Sequence, residues 1–279
     1  MLKRIALDLS QDGNQARRIQ VAIQLAAHHQ AELIGVCPDI QVHPYMRGEG
    51  RTPGSIMAAL LEKAAQEKIE IKNQFLKQAA LAGIKAQCRM PKGPIQDVLA
   101  AHARSCDLLI MSQIDDVEVT WAIPESMVES VIIAAGRPVL VTPYIANPEH
   151  TVGKHVLFCW DYGRRSARAL ADAAPLLSSA STLTILTVDP PTKMLQTLDI
   201  QQEDMLAYCA AHGYPQPELV NTTSEGVGIG NAILNAATDH ACDLIVMGLY
   251  NRSRVREWIL GGTSKTLLQS MTVPVLFSH

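Results

Sequence analysis

The stretch Leu244–Phe277, LIVMGLYNRSRVREWILGGTSKTLLQSMTVPVLF, decides how the chain is to be read. An apolar run stops at Gly248, an arginine-bearing segment follows, Gly261-Gly262-Thr263-Ser264 opens a helical pattern, and a second apolar run closes it. Two readings stand open at this point. The stretch joins two strands of a buried sheet through a helix, and its glycine-rich turn is also placed to meet an anion, because a helix start carries free N–H groups and the positive end of the helix dipole.

Working outward, the same pattern occurs earlier in the chain. CDLIVMGL (242–249) matches CDLLIMSQ (106–113), and TVPVLFSH (272–279) matches GRPVLVTP (136–143). Further upstream KHVLFCWD (154–161) matches KRIALDLS (3–10), and STLTILTVDP (181–190) matches AELIGVCPD (31–39). Each first run leads into an alanine-rich helical stretch, SARALADAAPLL in one copy and QARRIQVAIQLAAHH in the other. The early pairs are about 150 residues apart and the later ones about 136 apart, so the first copy carries an insertion. The insertion falls in PDIQVHPYMRGEGRTPGS (38–55), rich in Pro and Gly, which reads as a surface loop carrying His43, Tyr45, Arg47 and Arg51.

Short β-rich runs of nearly continuous hydrophobicity alternate with helical patterns in both copies. That is the signature of a parallel sheet covered on both faces by helices. The expected fold class is α/β, with two tandem Rossmann-like doubly wound domains, each a five-stranded parallel sheet flanked by about four helices. The boundary is expected in the linker YIANPEH (144–150), giving domains 1–147 and 148–279. A length of 279 residues suits two such domains.

Composition excludes several classes. Lys plus Arg number 24 against 27 Asp plus Glu, a formal charge of −3 without long runs of one sign, so neither nucleic acid nor a membrane surface is an expected partner. No apolar run approaches the roughly 20 residues that cross a bilayer, and the start MLKRIALDLS lacks a signal-peptide core, so a cytoplasmic location is expected. The six cysteines, Cys37, Cys88, Cys106, Cys159, Cys209 and Cys242, form no CxxC pair and read as reduced core thiols.

With both copies aligned, the chain resembles a tandem universal stress protein over essentially its full length. The residues that carry the resemblance are Asp161 after the first strand of the second copy, Val188-Asp189 after the second, Met247-Gly248 after the fourth, Gly261 onward, and the closing VPVLF. The family's nucleotide motif is glycine, two residues, glycine, nine residues, glycine, then Ser or Thr. Gly248 takes the first place, Asn251 the second, Arg252 to Leu260 the nine, Gly261 the third, and Gly262 stands where Ser or Thr is the rule. Asn tolerates left-handed backbone angles, and Thr263 and Ser264 offer hydroxyls just downstream.

The resemblance implies ATP or AMP as ligand, with Mg as its companion ion. It puts backbone near Val188 at the base and Asp161 near the ribose or base, with Met247 counted among the binding residues beside Gly248. Gly248, Asn251, Gly261, Gly262, Thr263 and Ser264 then hold phosphates. Arg252, Arg254 and Arg256 are candidates to line them by charge, and read equally as a solvated loop. Trp160 and Trp258 bracket the crevice in sequence and also read as simple packing. A homo-oligomer and a regulatory protein partner are implied as well.

In the first copy Gly248, Asn251, Gly261 and Gly262 become Ser112, Asp115, Glu125 and Ser126. A helix start favours an anion by roughly 0.3–1 kcal/mol, while two like charges about 4 Å apart at an effective dielectric near 20 repel by roughly 4 kcal/mol. The first copy is therefore expected to bind no nucleotide.

Catalytic signatures are missing. EGVGIGNAI (225–233) imitates a dinucleotide fingerprint but reads as a strand-to-helix turn, and no GxSxG, HExxH or P-loop occurs. Cys209, His212, His240 and Cys242 have zinc-like residue types, yet the cysteines fit buried positions and the histidines helix ends, so no metal is expected. The expectation is a stress-response regulatory protein, with a nucleotide-independent interaction module and a slow ATPase as alternatives.

Overall fold

The computed structural model describes residues 1–10, 12–38, 54–114, 126–144, 151–249 and 262–279. These form an α/β structure that divides into two compact units, Leu2–Arg137 and Pro138–His279, the second including Met1. The expected linker residues 145–150 and the four named residues of the insertion lie outside the described residues.

The first unit runs β1 (Arg4–Asp8), α1 (Gln15–His29), β2 (Glu32–Val36), α2 (Gly54–Leu81), β3 (Ala86–Arg89), α3 (Ile95–Ala103), β4 (Leu108–Ser112) and α4 (Met127–Ala135). Its strands are parallel in the order β3-β2-β1-β4. Ile5, Leu7, Leu33, Ile34, Leu109 and Ile110 are at most 1% exposed, which is why these runs are apolar without alternation. The insertion ends earlier than its Pro/Gly composition suggests. Gly54 and Ser55 already belong to α2, because Gly and Ser are acceptable in a first helical turn even though both are common in loops.

The second unit opens with β5 (Val139–Thr142). It continues with β6 (His155–Cys159), α5 (Arg164–Asp172), α6 (Ala174–Leu177), β7 (Thr182–Val188), α7 (Thr192–Thr197) and α8 (Gln202–Ala211). It closes with β8 (Glu218–Thr222), α9 (Ile229–Asp239), β9 (Leu244–Gly248), α10 (Gly262–Ser270) and β10 (Val275–Ser278). Five strands are parallel in the order β10-β9-β6-β7-β8, and β5 adds to the edge of β10 antiparallel. The second copy carries six described helices rather than about four, because Pro175 starts a new segment after α5 and two short helices link β7 to β8.

The repeated Cys-Asp-Leu before β4 and β9 has a structural reason. Asp107 accepts hydrogen bonds from the backbone N–H of Lys3 (2.7 Å) and Arg4 (2.9 Å). Asp243 accepts from the backbone N–H of Gly153, Lys154 and His155 at 2.9–3.1 Å and from Thr151 Oγ1 at 2.6 Å. In each copy one carboxylate ties the chain entering the first strand to the start of the fourth. Asp107 is part-buried and Asp243 buried, and the carboxylate is tolerated there because its oxygens are filled with donors.

Candidate functional site

A cavity of about 380 Å³ opens at the C-terminal ends of β6, β7 and β9 in the second unit. Open parallel sheets place their ligand crevice at such strand ends, where strand order reverses. Here the reversal lies between β6 and β9, since β7 and β8 follow on one side and β10 on the other. The volume falls within the usual range of small-molecule sites, roughly 300–1,000 Å³.

Asp161, Val188, Met247, Gly248 and Thr263 all line this cavity. Gly262 starts α10 beside it and is exposed, and among the described residues no atom lies within 4 Å of where a Cβ would stand. Ser264, in the first turn of the same helix, is fully buried and is not in the cavity wall. Asn251, Arg252 and Gly261 lie outside the described residues, as do Arg254, Arg256 and Trp258.

Gly248 has a packing reason that sequence reading missed. A Cβ there would stand 2.5 Å from the backbone carbon of Arg165 and 2.7 Å from its oxygen. The glycine lets α5 press its first turn onto the end of β9 beside the cavity. Sequence reading assigned the glycine to close approach of phosphate; the neighbour that the structure shows is Arg165.

Asp161 is held in place rather than left to swing. Its Oδ1 accepts from the Gly163 N–H (2.8 Å) and from Ser166 Oγ (2.6 Å), which anchors the turn between β6 and α5. Between them Tyr162 takes a left-handed φ of 59°, a conformation that costs a bulky residue about 1–2 kcal/mol. Asp189, next to Val188, is left-handed as well (φ 51°), and its carboxylate accepts from the Ser224 N–H at 2.9 Å and from the Ser224 hydroxyl. Two strained residues thus flank the cavity at the ends of β6 and β7, as such residues often do at sites.

The glycines of EGVGIGNAI have separate tasks. Gly226 and Gly228 have positive φ in the turn before α9. Gly230 admits α10, since a Cβ added to it would stand 2.6 Å from the Cβ of Thr266. Ile229 and Ile233 of α9 supply apolar wall to the cavity.

Trp160 lines the cavity, and so do Arg164 and Arg165, which sequence reading missed. Trp160 leans on Tyr162, ring centroids 5.5 Å apart, and on Phe158 at 5.8 Å. Arg164 is exposed at the start of α5. The RR pair directly after the DYG turn was the available signal. Cys159 also faces the cavity, and burial, with Asp161 adding, pushes its thiol far above the ordinary cysteine value, so it stays protonated and unreactive.

The corresponding strand ends of the first unit look different. Arg18 of α1 has no exposed surface. Its Nε donates to the Asp8 carbonyl oxygen (2.6 Å), Nη2 to the Ser10 carbonyl oxygen (2.8 Å), and Nη1 to Ser112 Oγ (2.7 Å) and Asp12 Oδ2 (2.7 Å). Asp8 is itself buried, and its Oδ1 accepts from the Ser10 N–H and hydroxyl. Burial pushes its carboxyl up, opposed by the nearby Arg18 charge. Asp115 and Glu125, on which the electrostatic argument against this copy rested, lie outside the described residues.

Among the described residues no group of three or more His, Cys, Asp or Glu is placed to hold a metal. Cys209 is buried, His212 stacks on Tyr208 at 4.2 Å, and His240 Nδ1 lies 3.1 Å from Glu218 Oε2. All six cysteines are free thiols. No helix among the described residues is long and apolar enough to cross a membrane.

Comparison with known proteins agrees with the fold. Residues 153–279 match the model of the universal stress protein family. A universal stress protein from Archaeoglobus fulgidus DSM 4304 superimposes with a TM-score of 0.72 at 18% identity, covering 98% of this chain and 97% of that one. A functionally unknown protein from Pseudomonas aeruginosa PAO1 gives 0.62 at 18% identity over 99% and 92%. A universal stress protein solved in complex with cAMP matches half of this chain and 96% of its own, with a TM-score of 0.38 at 19% identity. No curated protein sequence matches. Residues 153–279 thus match the universal stress protein family, and the fold of the chain, its first unit included, is similar to that of the solved structures it superimposes on.

Proposed function

We propose that this chain is a stress-response regulatory protein whose second unit, within residues 148–279, binds an adenine nucleotide, ATP or AMP. The observation that carries the reading is the cavity itself. In the family-matching domain, Asp161, Val188, Met247, Gly248 and Thr263 converge on one crevice from three strand ends and a helix start. Among the described wall residues Arg164 and Arg165 outnumber Asp161, and Asp161 spends one oxygen on local donors, so the charge suits an anion.

In this reading the base lies against Val188, Met247 and Ile233, and the phosphates run toward Arg164 and the first turn of α10, with Gly262 and Thr263 facing them and the Ser264 hydroxyl buried behind. Asn251, Arg252 and Gly261 complete the phosphate cradle, and Mg accompanies a triphosphate. Binding acts by favouring one conformation or one partner surface, which requires different affinities for the two states. A regulatory protein partner, self-association and a cytoplasmic location belong to the same proposal.

A thermal-shift assay tests it: a nucleotide at a hundredfold excess over its Kd stabilises the protein by about 2.7 kcal/mol. An unmoved melting temperature with ATP, ADP and AMP would leave the chain a nucleotide-independent interaction module. A slow ATPase is the reading favoured if bound ATP loses its γ-phosphate and Arg164→Glu stops the loss.

A further inference from the structure

A buried arginine is rare, because its charge must be matched and its donors filled where water cannot reach. Arg18 meets both conditions at one place. Four of its five N–H donors go to two backbone carbonyls, one hydroxyl and one carboxylate at the ends of β1 and β4. Aligned through the repeat, Asp8, Ser10 and Ser112 stand at the positions of Cys159, Asp161 and Gly248, three walls of the cavity in the second unit. Ala169 stands where Arg18 stands.

We propose that the strand-end crevice of the first unit is a guanidinium site, and that Arg18 is its resident ligand. The donor set decides the class. Carbonyl oxygens of Asp8 and Ser10, the Ser112 hydroxyl and the Asp12 carboxylate accept hydrogen bonds in the spread that a planar fork requires, and a second carboxylate, Asp8, is buried beside them. A phosphate in the same place would face two carboxylates and two carbonyl oxygens.

An arginine kept for phosphate turns its fork toward the ligand and the solvent. Arg18 turns its fork inward and exposes nothing. Because the guanidinium is tethered through α1, the crevice is filled whenever the unit is folded, and no nucleotide enters it.

The test removes the occupant and leaves the acceptors. Millimolar methylguanidinium is expected to raise the melting temperature of Arg18→Ala and to leave the wild type unmoved, with tetramethylammonium as a cation that cannot donate. A variant that melts at the same temperature with and without methylguanidinium overturns the proposal, and so does equal stabilisation by tetramethylammonium. The wild type gives a second reading that needs no folded alanine variant. Nitrogen-15 NMR is expected to show the Arg18 Nε proton, assigned by its loss in Arg18→Lys, exchanging far more slowly than those of exposed arginines. Its signal should stay in place when ATP is added. Exchange at the exposed rate, or displacement of that signal by ATP, contradicts a filled guanidinium site.

Discussion

At the end of β9, Gly248 has no side chain, and the backbone of Arg165 comes so close that any added Cβ would collide with it. At the end of β4, Ser112 has a hydroxyl, and the guanidinium of Arg18 binds it from α1. The two copies share strand order around this point, with the first strand beside the fourth in each. What differs is the filling. In one copy the helix closes on a glycine and leaves a cavity beside it; in the other a long cationic side chain occupies the strand ends. One fold therefore reaches a stable crevice in two ways, by backbone contact around an open space or by an internal ion pair.

That contrast orders the expected effects of substitution. The largest belongs to Arg18→Ala, which strands Asp12 and the buried Asp8 without their cation; breaking a buried pair from one side costs about 3–5 kcal/mol. Urea denaturation measures it, and a loss below about 1 kcal/mol, the size of one ordinary hydrogen bond, would mean that the guanidinium is not holding the first crevice together. Gly248→Ala comes next. It forces a methyl group into the Arg165 backbone, an overpacking that costs about 1–3 kcal/mol, so any substitution there disturbs the fold before it reports on a ligand. The counterpart Ser112→Gly removes one hydrogen bond to Arg18 and is expected to cost about 1 kcal/mol.

Gly262→Ser separates fold from binding. No described residue crowds a side chain there and Gly262 is exposed, so stability should stay within about 0.5 kcal/mol. The added hydroxyl puts Ser where the resemblance places Ser or Thr, and under the proposed function one extra hydrogen bond of about 1 kcal/mol raises nucleotide affinity about fivefold. Unchanged affinity in a competition titration would remove Gly262 from the phosphate cradle.

The smallest effect concerns pH. Asp8 has its carboxyl raised by burial above the ordinary 3.8, so the folded state holds its proton more tightly than the unfolded chain. The stability it contributes is present at pH below 3.8 and is lost as the pH rises through the raised value. Asp8→Asn should therefore compare worst with the wild type in acid and improve relative to it as the pH rises. A difference that widens upward in pH to the variant's disadvantage would show the opposite sign of shift.

Much of this was legible in the chain. The repeat, the parallel strands and the helices followed from continuous apolar runs, because burial on both faces leaves no alternation to misread. Asp161, Val188 and Gly248 were legible from their places at strand ends, and Met247 and Thr263 from the family resemblance; all five line one cavity. Arg18 was not legible. In QARRIQVA it looks like one of two solvated helix cations, and only the fold brings it to Ser112, 94 residues away. Arg165 was hidden from Gly248 in the same way, since no local pattern announces which helix turn will press on a strand end. The paired Asp107 and Asp243 were visible as a repeated Cys-Asp-Leu, but their task, receiving backbone N–H groups from the start of the neighbouring strand, needed the sheet register.

Calorimetric titration of the whole chain with ATP and with AMP tests the central claim most directly, run on the wild type and on Arg164→Glu. Arg164 is exposed, so the variant keeps the fold while placing an anion at the cavity mouth. The account predicts one nucleotide per wild-type chain and a loss of most of that affinity in Arg164→Glu. Two equivalent sites per chain would contradict it, as would no heat of binding with either nucleotide.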